Sequence, residues 1–575
     1  MTAEELRAKI IESVSVNGGH LASSLGAVEL SMALAEVFDP FKDRIVWDVG
    51  HQAYAWKMLT GRADGFSSLR KLGGLSPFPN PAESAADAAV AGHAGVAISV
   101  AAGYAAARDR KGSQEHVVAV VGDGAIVNGT SFEALNSCAT ATRKVIVVLN
   151  DNGMSISKPS GSLSKFLGRL ITGVRYNRVK AAAEKAGHRL RLTFLRGAYH
   201  RLESRVKSLF LGNAFFESFG VRYIGPVDGH DLAALKSAFT VARDDKRSVL
   251  VHVVTKKGFG FKPAELNPTA WHGVGPFDRT AAVDVPKPPM RDWSAAFGDA
   301  LAEAARNDSR VVALTAGMKD GTGLSAFASE FPSRFFDVGI AEGHMVAFAG
   351  GLAAGGMKPV VAVYSTFLQR AIDQVMHDVA IANLPVVFAV DRAGAVGADG
   401  VTHQGVYDIA MLKAVPNLEI YQPCDETELK SMLSAALKRK GPTVIRYPRG
   451  AVASPFGIGG DTSAVEVVRP EAPVQIWTCG DWLGKALAVA ERTGAGVVYA
   501  RRLKPFDAEL ISAQRRAGKR IVSLENGVLA GGFGEAIGAD IKFGWPDEFI
   551  PHGTVGELEK RYKLDVESMV EVLNG

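Results

Sequence analysis

The chain has 575 residues, 47% hydrophobic and 22% charged, with 65 Lys and Arg against 60 Asp and Glu. That length is too great for one core and suggests about three or four units, and the near-even charge gives no reason to expect a nucleic-acid partner. Cys138, Cys424 and Cys479 lack metal-ligand or disulfide spacing, no apolar run is long enough to span a membrane, and the acidic start M-T-A-E-E-L lacks a signal-peptide core, so a soluble cytoplasmic protein is expected.

Residues 6–37 carry two amphipathic helical patterns around N-G-G-H-L-A-S-S-L-G, which sets His20 in a Gly/Ser-rich turn. The next strand, R-I-V-W-D-V-G-H-Q-A-Y, delivers His51 just past its carboxyl end. Histidines in glycine-flanked turns at one strand edge are candidates for proton transfer. A Gly/Pro-rich loop, L-R-K-L-G-G-L-S-P-F-P-N-P, follows, and a small-residue helix is predicted to open at Gly92-His93.

Residues 116–157 read as a βαβ unit. The run H-V-V-A-V-V-G-D-G and the run V-I-V-V-L-N-D-N-G are Val-rich and too short for helices, with a helical pattern over Thr130 to Ala141 between them. Ligands bind beyond the carboxyl ends of such strands. Gly122 and Gly124 let backbone N–H groups approach an anion, while Asp123 and Asn152 offer hard oxygens of the kind Mg²⁺ takes. Ordinary turns use the same residues, so each cluster alone would mean little. Two of them, 29 residues apart and each after a strand, predict a metal-bound diphosphate.

Residues 157–218 form a basic, Leu/Arg-rich insertion with helical periodicity, readable either as a mobile cover or as a solvated helical excursion. Strand V-L-V-H-V-V-T then ends at Lys256-Lys257, and the Pro-rich stretch 281–291 reads as a linker. Alternating strand and helix signals over 292–457 and again over 458–575 predict two further mainly parallel sheets, giving an α/β protein of three domains, the first being 1–280. In the second domain Glu342 starts an Ala/Gly-rich helix, where a carboxylate is favoured by the helix dipole alone. Tyr364, Phe367 and Arg370 follow another strand, and Asp399 and His403 lie on a Gly-rich loop after Arg392, a setting where binding residues collect.

Together the G-D-G and N-D-N clusters resemble the thiamine diphosphate motif of the transketolase-like enzymes. G-G-H-L-A-S, W-D-V-G-H-Q-A-Y, G-G-L-S-x-F-P, I-G-P-V-D-G-H-D and T-K-K-G narrow the resemblance to the 1-deoxy-D-xylulose 5-phosphate synthase family. It implies transketolase-like architecture, a cytoplasmic homodimer, and a transferase that condenses pyruvate with D-glyceraldehyde 3-phosphate, losing CO2 and yielding a precursor of isoprenoids, thiamine and pyridoxal. The implied cofactors are thiamine diphosphate and Mg²⁺, the metal held by Asp123, Asn152 and the carbonyl of Met154. His51, His93, Gly122, Gly124, Ala125 and Lys257 would line the diphosphate side, with Glu342 on the pyrimidine N1′ and Phe367 stacked on that ring. Arg392 and Arg449 would grip the acceptor's phosphate through their bidentate forks, with Tyr364, Arg370, Asp399 and His403 around the rest of it. His20, His51, His272 and His403 are the proton-transfer candidates.

The match is not uniform. Where the family reads G-H-S-S-T-S, this chain has Gly92-His93-Ala94-Gly95-Val96-Ala97, and where A-E-Q-H is usual it has Ala341-Glu342-Gly343-His344. Two rival readings therefore stand beside the first: a divergent synthase of the same architecture using another ketoacid or aldehyde, and a catalytically inactive regulatory paralogue.

Overall fold

The structure, a computed structural model, describes residues 1–153, 213–279, 291–452, 456–458 and 463–575. Met154, nearly all of the expected insertion at 157–218 and all but the last residue of the expected linker lie outside them. The chain forms two compact units, one of Met1–Leu69 with Pro77–Val285 and one of Arg70–Ser76 with Pro286–Gly575.

The first unit is built on a five-stranded sheet in the order β1-β2-β3-β5-β4, every pairing parallel. Its strands are β1 (Arg44–Trp47), β2 (Val117–Gly122), β3 (Ile146–Asp151), β4 (Arg222–Asp228) and β5 (Val249–Val254). β2, β3 and β5 are buried almost end to end, as expected of parallel strands covered on both faces. Local chemistry fixes the helix ends. Thr2 and Glu5 form a reciprocal capping box on Ala3–Asn17, Asn128 caps Gly129–Ala141, and Ala97–Lys111 stops at the left-handed Gly112 (φ 69°) with Arg108, Arg110 and Lys111 in its last turn.

Two expectations for this unit need correction. The N-terminal pattern yields three helices, Ala3–Asn17, Leu21–Gly26 and Val28–Val37, because the six-residue middle one is buried all round and has no amphipathic face. The helix expected to open at Gly92-His93 starts only at Ala97. Gly95 holds φ +84° with its Cα against Asn128, where an added Cβ would lie 2.5 Å from that side chain. The Asp48 carboxylate accepts from the Gly95 and Ala97 N–H groups, so the first helical donors are met from β1's end rather than by a preceding turn.

The second unit holds two sheets. A seven-stranded sheet, in the order β15-β10-β11-β9-β8-β6-β7, uses β6 (Val311–Thr315), β7 (Phe335–Asp337), β8 (Lys358–Tyr364), β9 (Val387–Asp391), β10 (Glu419–Tyr421), β11 (Thr443–Arg446) and β15 (Arg502–Lys504). A five-stranded sheet, β12-β14-β13-β16-β17, uses β12 (Val465–Arg469), β13 (Val474–Thr478), β14 (Gly496–Ala500), β16 (Arg520–Val528) and β17 (Ile541–Trp545). All pairings are parallel except β15 with β10 and β12 with β14. The fold is therefore α/β with three mainly parallel sheets. β7, β12, β15 and β17 escape a pattern search because they are short, half-buried or broken by glycine.

Candidate active site

In the first unit the pairing of Gly122 with Asn150 brings the ends of β2 and β3 side by side. Asp123, next after β2, is buried. Burial and the charge of Asp151 push its carboxyl up to about 8, against the Gly124 N–H and Lys257. Lys257 is likewise buried, and burial draws its ammonium down to about 8 while Asp123 opposes. Added Cβ atoms at Gly122 and Gly153 would meet nothing within 4 Å among the described residues, so these strand ends have room beside them. A crowded carboxylate pair, an asparagine amide and a lysine beside open space suit a divalent cation carrying phosphate oxygens. Among the described residues no group of three His, Cys, Asp or Glu could hold a metal by itself.

The turns around this site are tied down. Asn150 donates to Gln52 Oε1 (3.2 Å) and accepts from Thr255 Oγ1 (2.6 Å). His230 Nε2 accepts the Lys256 N–H at 2.9 Å while its Nδ1 lies 3.2 Å from Glu29, and Gly258 N donates to Ala22 O, so the turn that presents Lys257 is held from two sides. The Ala125 carbonyl is taken by Ser131 Oγ and Asn128 N.

Three of the predicted histidines converge. The rings of His20, His51 and His272 lie 6.3, 5.9 and 5.2 Å apart pairwise. Burial, then neighbouring His20 and Lys257, holds His51 well below the ordinary imidazole value, and burial, Lys257 and the other two rings do the same for His272. Both are thus neutral at pH 7, and His51 Nδ1 is buried without a hydrogen-bond partner. Ser23 Oγ lies 3.3 Å from His272 Nδ1. His93 sits half-buried in the bend before Ala97.

In the second unit Glu342 is the first residue of the helix Glu342–Ala354 and is 3% exposed. Burial raises its carboxyl, with the backbone and Arg370 opposing, and Oε2 has no hydrogen-bond partner. Gln374 Oε1, also unpartnered, lies 3.2 Å from where a Cβ on Gly343 would stand. Glycine at 343 leaves that amide its place. Tyr364 ends β8, stacks on Phe367 (5.8 Å) and carries the Arg392 guanidinium 3.9 Å over its ring. Phe367 meets His403 edge-on at 5.6 Å, and His403 Nδ1 lies 2.9 Å from Thr402 Oγ1.

Arg392 follows β9 with φ +58°, a conformation that bulky residues avoid and that clusters at functional sites. Arg449 donates to Val396 O (3.3 Å) and lies 3.9 Å from Asp399. Burial and the charge of Arg392 pull its guanidinium down. A third arginine went unread in the sequence: Arg70 pairs with Asp399 at 2.9 Å and also bears on Arg449. Its signal in the sequence is the charged start of R-K-L-G-G-L, which stands beside glycines that suggest only a turn. Arg70 and Arg449 both flank the Asp399 carboxylate and Arg392 bears on Arg449, a concentration of guanidiniums that suits an anion.

Residues 1–255 match the family model described as 1-deoxy-D-xylulose-5-phosphate synthase, 290–455 the pyrimidine binding domain of transketolase, and 463–569 the transketolase C-terminal domain. The 1-deoxy-D-xylulose-5-phosphate synthase 1 of Geobacter metallireducens is 46% identical, covering 98% of this chain and 94% of its own length. The chain belongs to the 1-deoxy-D-xylulose-5-phosphate synthase family. The corresponding synthase of Syntrophotalea carbinolica is 46% identical over 99% of this chain and 93% of that one. A solved transketolase from Leishmania mexicana is 20% identical, with a TM-score of 0.45 over 100% of this chain and 97% of the other. Membership makes the chain a transketolase-type transferase condensing pyruvate with D-glyceraldehyde 3-phosphate to 1-deoxy-D-xylulose 5-phosphate and CO2, and it implies thiamine diphosphate. No described helix is long and apolar enough to cross a membrane.

Proposed function

We propose that the first unit supplies the metal and diphosphate half of this family's reaction and the second the pyrimidine and acceptor half. When bound, thiamine diphosphate supplies an acidic ring carbon and a sink for the electron pair released with CO2. Asp123 and Asn152 would hold Mg²⁺, the carbonyl of Met154 being the third expected ligand, and Lys257 would balance the diphosphate. His20 and the neutral His51 and His272 would hold or move protons on the pyruvate side, with Gly122, Gly124, Ala125 and His93 lining the phosphates.

Glu342 would hold or move a proton at Oε2 for the pyrimidine N1′, and Phe367 would supply the apolar face for that ring. Arg392 and Arg449 orient the acceptor through its phosphate, and Tyr364, Arg370, Asp399 and His403 contact its remaining oxygens. The protein would work in the cytoplasm as a homodimer.

The observation that carries this reading is the Oε2 of Glu342, a buried carboxyl oxygen at a helix start with no hydrogen-bond partner among the described residues. A buried acceptor left unmatched costs stability unless a ligand completes it. Glu342→Ala should abolish pyruvate-dependent CO2 release with and without glyceraldehyde 3-phosphate. Undiminished turnover would remove Glu342 from the chemistry.

A further inference from the structure

Histidine in the middle of a Val-rich parallel strand is out of place unless its ring nitrogens are met. His252 of β5 is fully buried, and both of its nitrogens have partners. Its Nε2 lies 2.9 Å from Asp151 Oδ2 and its Nδ1 2.7 Å from the Tyr223 hydroxyl. Tyr223 of β4 aligns with Leu250, His252 with Leu149 of β3, and Asp151 with Val254, so the three polar side chains run across one face of three adjacent strands. The Asp151 carboxylate has only acceptors, so Nε2–H donates to it and Nδ1 receives the Tyr223 O–H. Burial and the charge of Asp151 keep that phenol protonated.

Asp151 spends its other oxygen on the turn. Oδ1 accepts the Gly153 N–H at 3.0 Å, which closes the loop over Asn152, and the Asp151 carbonyl accepts Thr255 N at 2.9 Å. Rotation of the Asp151 carboxylate would therefore shift the Asn152 turn. The hydrogen bond from His252 opposes that rotation from the strand side, as the Gly153 N–H does from the turn.

We propose that Tyr223 and His252 are positioning residues that lock the Asp151 carboxylate and, through it, the Asn152 turn in the form that takes Mg²⁺. The proposal rests on the reading of Asp123 and Asn152 as the metal site. Partners one shell out from a metal's ligands fix ligand orientation, and their removal weakens metal binding by roughly 10- to 100-fold.

The test uses full-length protein, metal-free, titrated calorimetrically with Mg²⁺ at fixed thiamine diphosphate, alongside thermal unfolding without metal. His252→Leu should weaken Mg²⁺ binding by roughly 10- to 100-fold and Tyr223→Phe by several-fold. His252→Gln, whose amide N–H reaches toward Asp151 as Nε2 does, should recover most of the loss. Asp123→Asn is the control for the site itself: if it binds Mg²⁺ like the parent, the metal-site reading falls and the relay with it. If Asp123→Asn loses binding but His252→Leu stays within two-fold of the parent, the relay alone is overturned. A lower unfolding temperature with unchanged Mg²⁺ affinity, or a glutamine no better than leucine, overturns it equally. Should His252→Leu fail to fold, Tyr223→Phe decides by the same two-fold limit.

Discussion

The metal-side turn of the first unit and the arginine loop of the second are opposites built on one plan. At the first, burial and Asp151 push the Asp123 carboxyl up, a like-charge crowding of acids. At the second, burial and Arg392 pull the Arg449 guanidinium down, a like-charge crowding of bases. Each crowding would be relieved by an ion of the other sign, a divalent cation in one case and a phosphate in the other under the proposed function. The supports differ too. Around Asp123 the neighbours are locked by buried hydrogen bonds through Asn150, Thr255 and His252, whereas Arg392 is held by a strained backbone and a ring face and Arg449 by one hydrogen bond to the Val396 carbonyl. On the proposed function, the tightly bonded turn suits an ion that stays bound, and the more lightly held arginines suit a substrate that comes and goes.

Separating the two predicts different losses. Asp123→Asn should remove both turnover and the thermal stabilisation given by thiamine diphosphate with Mg²⁺, a stabilisation worth about 2.7 kcal/mol at a hundredfold excess over Kd. Glu342→Gln should cut kcat by roughly 10²- to 10⁴-fold, the usual worth of a positioned acid or base, while keeping most of that thermal shift. A Glu342→Gln protein that lost the shift as completely as Asp123→Asn would collapse the distinction between the two units. Arg449→Ala should leave the shift intact and raise KM for glyceraldehyde 3-phosphate by roughly 10- to 100-fold, the loss of a charge-assisted contact of about 1.5–3 kcal/mol. CO2 release from pyruvate without acceptor should change little. An equal fall in both activities would take Arg449 out of acceptor binding.

What the sequence displayed, it displayed through local pattern. The Val-rich runs of β2 and β3, the helix between them and the polar clusters at their ends need only a few neighbouring residues to be read, and Asp123 follows β2 where the pattern put it. The histidines at 20, 51 and 272 come together because glycine turns and strand ends deliver them. The Tyr223–His252–Asp151 row was hidden because it depends on the strand order β3-β5-β4, which chain order does not give. Arg70 was hidden for a similar reason: its carboxylate partner stands in a loop more than half the chain away. The late start of the helix at Ala97 turned on Asp48 reaching across from β1, a contact no helix-start rule anticipates. Gly95 and Gly343, departures from the family pattern, gain a physical reason only from Asn128 and Gln374 beside them.

The smallest expected effect probes the backing of the arginine loop. Asp391 ends β9 just before Arg392, is fully buried, and keeps Oδ1 without a partner while Oδ2 accepts from Ser294 Oγ at 2.7 Å. Burial raises its carboxyl to about 6, with Arg392 and Ser294 opposing. Its folded value thus lies above the unfolded one of 3.8. The stability it lends is complete below the unfolded value and is lost as pH rises through about 6. A rise of two units is worth roughly 3 kcal/mol at most, and asparagine gives back part of that by weakening the bond from Ser294, so Asp391→Asn should gain about 1–2 kcal/mol above pH 7. The difference in thermal midpoint between variant and parent, followed from pH 4 to 8, should start near zero or slightly negative, climb through the window between the unfolded and folded values, and level off. A flat difference would mean that Arg392 keeps Asp391 ionised throughout. The strained φ of Arg392 would then be held by an ion pair, and the second unit's site would be as firmly anchored as the first.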